Sequence, residues 1–329
     1  MMSFKDVIGH TMPVELLKRA IKNDKVVHSY LFLGNEGIGK QWVALQFAKA
    51  LNCIEGEVEK GEACDHCLSC KKIDRHLHPD VLVIEPEGQT LKVDQVRQMQ
   101  KDLAYRPYEG KRRVCILTAA DRMAPHMSNI LLKTLEETPL HTVIVLLANH
   151  PRLLLPTILS RCQPVRFHSL SIPSVSKWLM EQKGISQEEA HLLASLSEGS
   201  PGKALEIQEG IRQIPREELL KDWVGSTSFS FEGMESLIES LPSQREALLL
   251  ILEVAKTLLR DLIVVKMRKE SSTLIHSDLF GEFEAAAPRW NLLSLLKRMD
   301  VLHRTTLAIR GNANTTLALE AMMLSWAEG

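Results

Sequence analysis

Two groups of residues in this 329-residue chain have types and spacings suited to chemistry. Gly34-Asn35-Glu36-Gly37-Ile38-Gly39-Lys40 completes the pattern G-x-x-x-x-G-K. In that pattern backbone N–H groups and a lysine cradle phosphates at a helix N-terminus. The next position calls for a hydroxyl to ligate Mg²⁺, and Gln41 stands there instead. The second group is Cys53, Cys64, Cys67 and Cys70. Four soft thiolates at this spacing close a tetrahedral shell around Zn²⁺, a structural site without an open position for chemistry. C-x-x-C also serves thiol exchange, but a redox pair needs two cysteines at a helix start, not four in one polar excursion. His66, His76 and His78 are nearby competitors as ligands.

These residues need elements to hold them. Ser29 to Leu33 reads as a strand entering the glycine turn, and Trp42 to Leu51 as the helix that leaves it. An ordinary strand-to-helix turn with an exposed lysine is the competing reading. Pro13 to Asn23 has Val14, Leu17 and Ile21 at helical spacing, with Thr11 as an expected cap. Val81–Ile84, Arg113–Thr118, Thr142–Leu147 and Gln163–Phe167 read as further strands, separated by helices over Val93–Leu103 and Asn129–Glu137. Alternation of this kind predicts a mostly parallel sheet covered on both faces. Cys115 falls in a buried strand and reads as a small apolar residue.

Hydrolysis at a phosphate loop also needs an acid at the end of another strand to hold Mg²⁺. The strand over Val114–Leu117 emerges at Thr118 and Ala119, neither of them a carboxylate. Asp121 comes three residues after Thr118 and is expected to cap the following segment. Two independent losses argue against hydrolysis, whereas Lys40 and the loop amides leave binding of ATP or ADP open.

Apolar content of 45%, charged content of 25% and a formal net charge of −1 describe a globular protein without a general grip on nucleic acid. The N-terminus has no apolar core of a signal peptide and no run reaches the length of a membrane span, so a cytoplasmic chain without a membrane partner is expected. Six cysteines then point to metal or reactivity rather than disulfides. After His168 only helical patterns follow: Ser174–Gln182, Ser186–Ser197 and Pro201–Ile211, then long runs over Ser243–Lys269 and Trp290–Ile309, with breaks at 225–230, 271–277 and 311–314.

Further along, Ser160-Arg161-Cys162, just before a short final strand, resembles the arginine-finger motif of AAA+ clamp-loader proteins. Leu132 to Pro139 resembles a helix of the same family, and Asn149 sits where that family places a phosphate-sensing polar residue. Phe4 to His10 is similar to its N-terminal box, and His28 to Phe32 to its lead into the phosphate loop. The resemblance implies an α/β AAA+ P-loop domain over 1–168, with a four-cysteine zinc module at about 53–76. A three-helix lid over 169–212 and an all-α collar over 213–329 would follow. Within the family, His78-Pro79-Asp80-Val81, Leu91 to Arg97 and Ala120 to Met123 are similar to the branch that lacks hydrolytic acids. The gamma/tau motor keeps an Asp-Glu pair where Thr118-Ala119 stand here, and no arginine occurs at Gly202 or Lys203, where the motor's second sensor is expected.

That branch implies a non-hydrolysing member of a hetero-pentamer with gamma/tau and delta, part of the bacterial DNA polymerase III holoenzyme and nucleoid-associated. The ring places the sliding clamp on primer-template DNA. Arg161 would then serve ATP on the adjacent motor subunit, with Ser160 and Cys162 positioning it. A planar, permanently charged guanidinium suits phosphate oxygens. The plain alternative for Arg161 is a structural ion pair near a strand start. An active gamma/tau-like ATPase is the second functional reading. A zinc-dependent nucleic-acid module is the third, and the lack of basic runs around the cysteines counts against it. The apolar stripe Leu248, Leu249, Leu252, Ala255, Leu258, Leu259 and Leu262 is core by default and subunit interface in part by hypothesis.

Overall fold

The computed structural model describes residues 3–56, 61–88, 90–123, 125–224, 231–267 and 274–328, so the expected break at 225–230 and the first part of that at 271–277, residues 271–273, lie outside the described residues. Cα proximity divides the chain into two compact units, Met1–Ser174 with Ser200–Gly202, and Val175–Gly199 with Lys203–Gly329.

In the first unit five strands, β1 (Ser29–Leu33), β2 (Val81–Ile84), β3 (Arg113–Leu117), β4 (Thr142–Ala148) and β5 (Gln163–Arg166), form one sheet in the order β2-β3-β4-β1-β5. Every pairing is parallel. Alternate residues of each strand feed two separate cores, as the two-residue period of a strand requires. Tyr30, Phe32, Val114, Ile116, Val143, Val145 and Leu147 face α1 (Thr11–Lys22) and α2 (Lys40–Asn52), where Val14, Leu17, Val43 and Phe47 complete the layer. Leu31, Cys115, Leu117, Ile144 and Leu146 face the other way, onto side chains of α4 (Val93–Leu103), α5 (Pro125–Glu136) and α6 (Pro156–Leu159). The short α3 (Leu68–Asp74) belongs to the cysteine insertion. Burial on both faces explains why β3 and β4 read as unbroken apolar runs. Cys115 has no exposed surface and burial pushes its thiol up to about 12, which suits its role as packing.

Two local expectations are corrected. Thr11 does not cap α1; it is the first helical residue, and His10 occupies the cap position with its ring turned instead to the carbonyl of Ile38 at 2.8 Å. The helix expected from Asn129 begins four residues earlier, at Pro125, since proline at a helix start loses no hydrogen bond.

The second unit is helical throughout its described residues: α7 (Ile172–Lys183), α8 (Gln187–Leu196), α9 (Pro201–Gln213), α10 (Arg216–Glu218), α11 (Phe231–Glu239), α12 (Arg245–Lys266), α13 (Phe280–Ala286), α14 (Leu292–Arg310) and α15 (Thr315–Glu328). In the expected stripe on α12, Leu248, Leu252, Ala255, Leu258, Leu259 and Leu262 are buried and Leu249 half-buried, so the stripe forms this unit's own core. Exposed apolar side chains lie instead on α14 and α15, at Leu293, Leu296, Leu307, Leu317 and Leu324. Arg298 is buried between the rings of Trp290 and Trp326, 4.2 and 5.0 Å away, and donates to the carbonyl of Trp326 at 3.1 Å.

His276 is fully buried, next to Arg216 and Thr257. The Thr257 hydroxyl donates to the carbonyl of Val254, so the imidazole Nε2–H donates to Thr257 and Nδ1 accepts from Arg216, which is the neutral ring. Burial, with the Arg216 charge, lowers its pKa to about 3 from 6.5. Between those values the unfolded chain holds the extra proton, so stability falls as pH drops below 6.5 and the loss levels off near pH 3. At about pH 5 the loss is on the order of 2 kcal/mol. Urea unfolding at pH 7 and at pH 5 measures it, and His276→Gln is expected to flatten the difference.

Candidate functional site

The phosphate loop leaves the C-terminal end of β1 and runs into α2, with Gly39 capping the helix. Gly37 and Gly39 have φ of 71° and 105°, backbone that side-chain-bearing residues rarely adopt. At Gly34 a Cβ would fall 2.6 Å from the carbonyl oxygen of Phe167, so the chain after β5 leaves room only for glycine. Lys40 is buried, and its ammonium donates to the carbonyls of Gly34 (2.5 Å) and Asn35 (2.7 Å) and to Asn149 Oδ1 (2.8 Å). Burial lowers its pKa to about 8, against the pull of the Asp121 and Glu36 carboxylates. Gly34, Lys40 and Asn149 therefore come together.

Gln41 turns elsewhere. Its Nε2 donates to Glu85 Oε1, 2.8 Å away, just beyond β2. Thr118 donates its hydroxyl to the carbonyl of Ile84 at 3.1 Å, and Ala119 follows in the left-handed region at φ 49°. Gly37, Gly39, Lys40, Gln41, Glu85 and Thr118 share one cleft of about 590 Å³. Asp121 does not cap the segment after it, as expected from sequence. It is buried, and Oδ2 accepts the N–H groups of Asn149 (2.9 Å) and His150 (2.7 Å), fixing the chain where β4 ends. The carboxylate thus holds the turn that carries Asn149 to Lys40.

One contact was not legible in the sequence. Ser200 Oγ donates to the carbonyl of Glu36 and the N–H of Gly202 to the carbonyl of Gly37, both at 2.8 Å. A Cβ at Gly202 would lie 2.7 Å from that same Gly37 oxygen, so no side chain fits at 202. The Gly-Ser-Pro-Gly run is the available signal, but in the sequence Gly202 stands out only as a position without the motor's second sensor arginine.

Arg161 lies at the other end of the sheet. The hydroxyl of Ser29, the first residue of β1, donates to the carbonyl of Arg161 at 2.8 Å. The loop starts after Leu33, four residues on, or about 13 Å along the strand. The guanidinium is part-exposed; Nη1 donates to the carbonyl of Thr157 (3.1 Å) and Nη2 pairs with Glu136 Oε1 (2.5 Å). Ser160 Oγ donates to that Thr157 carbonyl as well, at 3.1 Å. Cys162 is buried in the core beneath, its thiol pushed up to about 11 by burial, so it anchors rather than reacts.

The four cysteines converge. All four Sγ atoms lie within 4.8 Å of one another, with Cys53 to Cys70 at 3.6 Å and Cys53 to Cys67 at 3.9 Å. A tetrahedron of sulfurs about 2.3 Å from zinc has edges of about 3.8 Å, so the donor set fits the metal. The N–H groups of Cys64, Cys67 and Cys70 point at Sγ of Cys53, Cys64 and Cys67 respectively, at 3.3, 3.3 and 3.5 Å. Burial raises the Cys67 thiol, but the N–H groups of Cys70 and Ile54, with the neighbouring thiols, outweigh it and draw it down to about 6. His66 is paired with Glu55 at 2.8 Å and His78 accepts the N–H of Asp80, which leaves the shell to the cysteines. Beneath the cluster, Lys49 of α2 is fully buried between Asp65 (2.6 Å) and Asp74 (2.9 Å). Those two pairs join the insertion to the helix that follows the phosphate loop.

Comparison with known proteins agrees with this arrangement. The family model described as DNA polymerase III, delta subunit, matches residues 9–171. DNA polymerase III subunit delta' of Bacillus subtilis (strain 168) is 28% identical over 323 residues, which covers 96% of this chain and 95% of that protein. The tau/gamma subunit of Haemophilus influenzae is 32% identical over 222 residues, 64% of this chain but only 32% of that one. Tau of Escherichia coli (strain K12) is 31% identical over 212 residues, with 63% and 32% covered. With its parallel P-loop sheet, cysteine cluster and Ser-Arg-Cys turn, the chain belongs to the clamp-loader family of DNA polymerase III.

Proposed function

We propose that the chain acts as the delta-prime subunit of the bacterial DNA polymerase III clamp loader. In this reading it joins gamma/tau and delta in a pentameric ring, does not hydrolyse ATP, and lends Arg161 to nucleotide on the neighbouring motor subunit while the sliding clamp is placed on primed DNA. The observation that carries the reading is that Arg161 is held at the first residue of β1, Ser29, while the phosphate loop leaves the strand after Leu33, about 13 Å of strand away. A guanidinium at that end of the strand has no use for its own phosphate loop, yet it is part-exposed at the rim. Near-complete coverage of delta' supports the same branch, where the tau and tau/gamma alignments cover under two thirds of the chain.

The loop supports the absence of hydrolysis. Gln41 puts an amide, held by Glu85, where the loop's hydroxyl is needed, and Thr118 and Ala119 stand where the strand-end acids are needed, so these positions offer Mg²⁺ no carboxylate; Asp121 is buried, with Oδ2 held by backbone N–H groups. A bound nucleotide would be held statically by Lys40 and the loop amides. Zinc, when bound, neutralises the thiolates of Cys53, Cys64, Cys67 and Cys70 and has a structural role. Residues 169–212 and 213–329 are assigned to a lid and a collar.

The purified chain alone is expected to show no ATP turnover above background, against the 1 s⁻¹ or so and upward that is typical of enzymes. Steady-state phosphate release tests this. Turnover that is lost in Lys40→Ala would establish the gamma/tau-like motor instead.

A further inference from the structure

We propose that Glu136 is the positioning residue for Arg161: its carboxylate fixes the plane of the guanidinium so that the remaining N–H donors stay presented to a phosphate on the neighbouring subunit. The inference rests on the reading of Arg161 as an arginine finger.

The geometry is specific. Of the five guanidinium N–H groups, one on Nη2 is directed at Glu136 Oε1 at 2.5 Å and one on Nη1 at the Thr157 carbonyl at 3.1 Å. Glu136 is the last residue of α5 and Thr157 lies in α6, so the two acceptors come from separate elements and together define an orientation. One acceptor alone would let the group pivot. Three N–H groups are left over, enough for a bidentate grip on phosphate oxygens. Ser29 fixes the Arg161 backbone from a third element, β1. An arginine side chain carries roughly 2 kcal/mol of rotamer entropy, and restraint beforehand reduces what ordering costs when phosphate arrives.

Stability does not explain the pair. The Arg161 and Glu136 side chains keep 37% and 50% of their surface, so solvent screens their attraction. A carboxylate at a helix C-terminus is also disfavoured by the helix dipole. Glu136 makes sense as an orienting group for the guanidinium.

The test is a double-mutant cycle on stimulated ATP hydrolysis by the reconstituted ring with clamp and primed DNA, with ring assembly checked by gel filtration. Glu136→Ala is expected to lower kcat by about tenfold or more without changing KM for ATP. Glu136→Gln, which keeps an acceptor oxygen, is expected to recover most of the rate. In the Arg161→Ala background Glu136→Ala is expected to change nothing further, because the group it orients is gone. A normal rate for Glu136→Ala where Arg161→Ala is impaired would overturn the inference and leave the finger reading intact. An equal further loss in the Arg161→Ala background would assign Glu136 a general structural role and overturn it too. A normal rate for Arg161→Ala would remove the finger reading, and this inference with it.

Discussion

Replacing Cys70 with serine is expected to strip zinc from the chain and to destabilise the whole P-loop unit, not only the insertion. Cys70 is fully buried at the centre of the cluster, and a serine oxygen is both harder and nearer its carbon than the thiolate it replaces. Structural zinc sites contribute roughly 10 kcal/mol or more of apparent folding free energy at neutral pH, so loss of one ligand in four is a large perturbation. It reaches the sheet by three routes. Cys53 caps the C-terminus of α2, Lys111 donates to its carbonyl at 2.8 Å, and Lys49 depends on Asp65 and Asp74 to offset its complete burial. A buried lysine deprived of its carboxylates is strongly destabilising, on the order of 3 kcal/mol or more. We expect about one zinc per wild-type chain by elemental analysis, less than about a tenth of that in Cys70→Ser, and a melting temperature lower by about 10 °C. Full zinc content in the variant, or an unchanged melting temperature after chelation of the wild type, would contradict this account.

Much of the first unit was legible because parallel strands covered on both faces are written as continuous apolar runs. β2, β3 and β4 emerged within a residue of their expected ends, and α4 at both of its ends. The cysteine cluster was legible for a different reason, since four thiols in one polar stretch have few other uses. What escaped depends on groups far apart in sequence. Asp121 looked like a local cap because its partners, the N–H groups of Asn149 and His150, come almost thirty residues later. Gly202 stood out only for the missing arginine, because the backbone it meets, that of Gly37, lies far off in sequence. Neither spacing nor periodicity carries such information. The α12 stripe was wide enough to suggest a subunit interface, but α14 packs beside it and the surplus is core. Glu136, one of two consecutive acids ending a helix, gave no sign that its partner was Arg161.

Arg161→Ala is expected to reduce hydrolysis at the site it serves by about a thousandfold, the lower range for arginine fingers. The effect is large because the guanidinium stabilises charge that develops on the transferred phosphoryl group, where water would otherwise have to reorganise. The fold should not suffer. The Arg161 carbonyl, not its side chain, binds Ser29, and the side chain makes one screened ion pair and one hydrogen bond. Loss of an exposed pair costs about 1 kcal/mol at most. A lysine in its place keeps the charge but not the planar fork, and should recover little. The most direct measurement is single-turnover ATP hydrolysis by the ring assembled from this chain, gamma/tau and delta, with clamp and primed DNA present. The account predicts that rings built with Arg161→Ala assemble normally and lose the fast phase from one motor site. Normal assembly with an unchanged fast phase would contradict it.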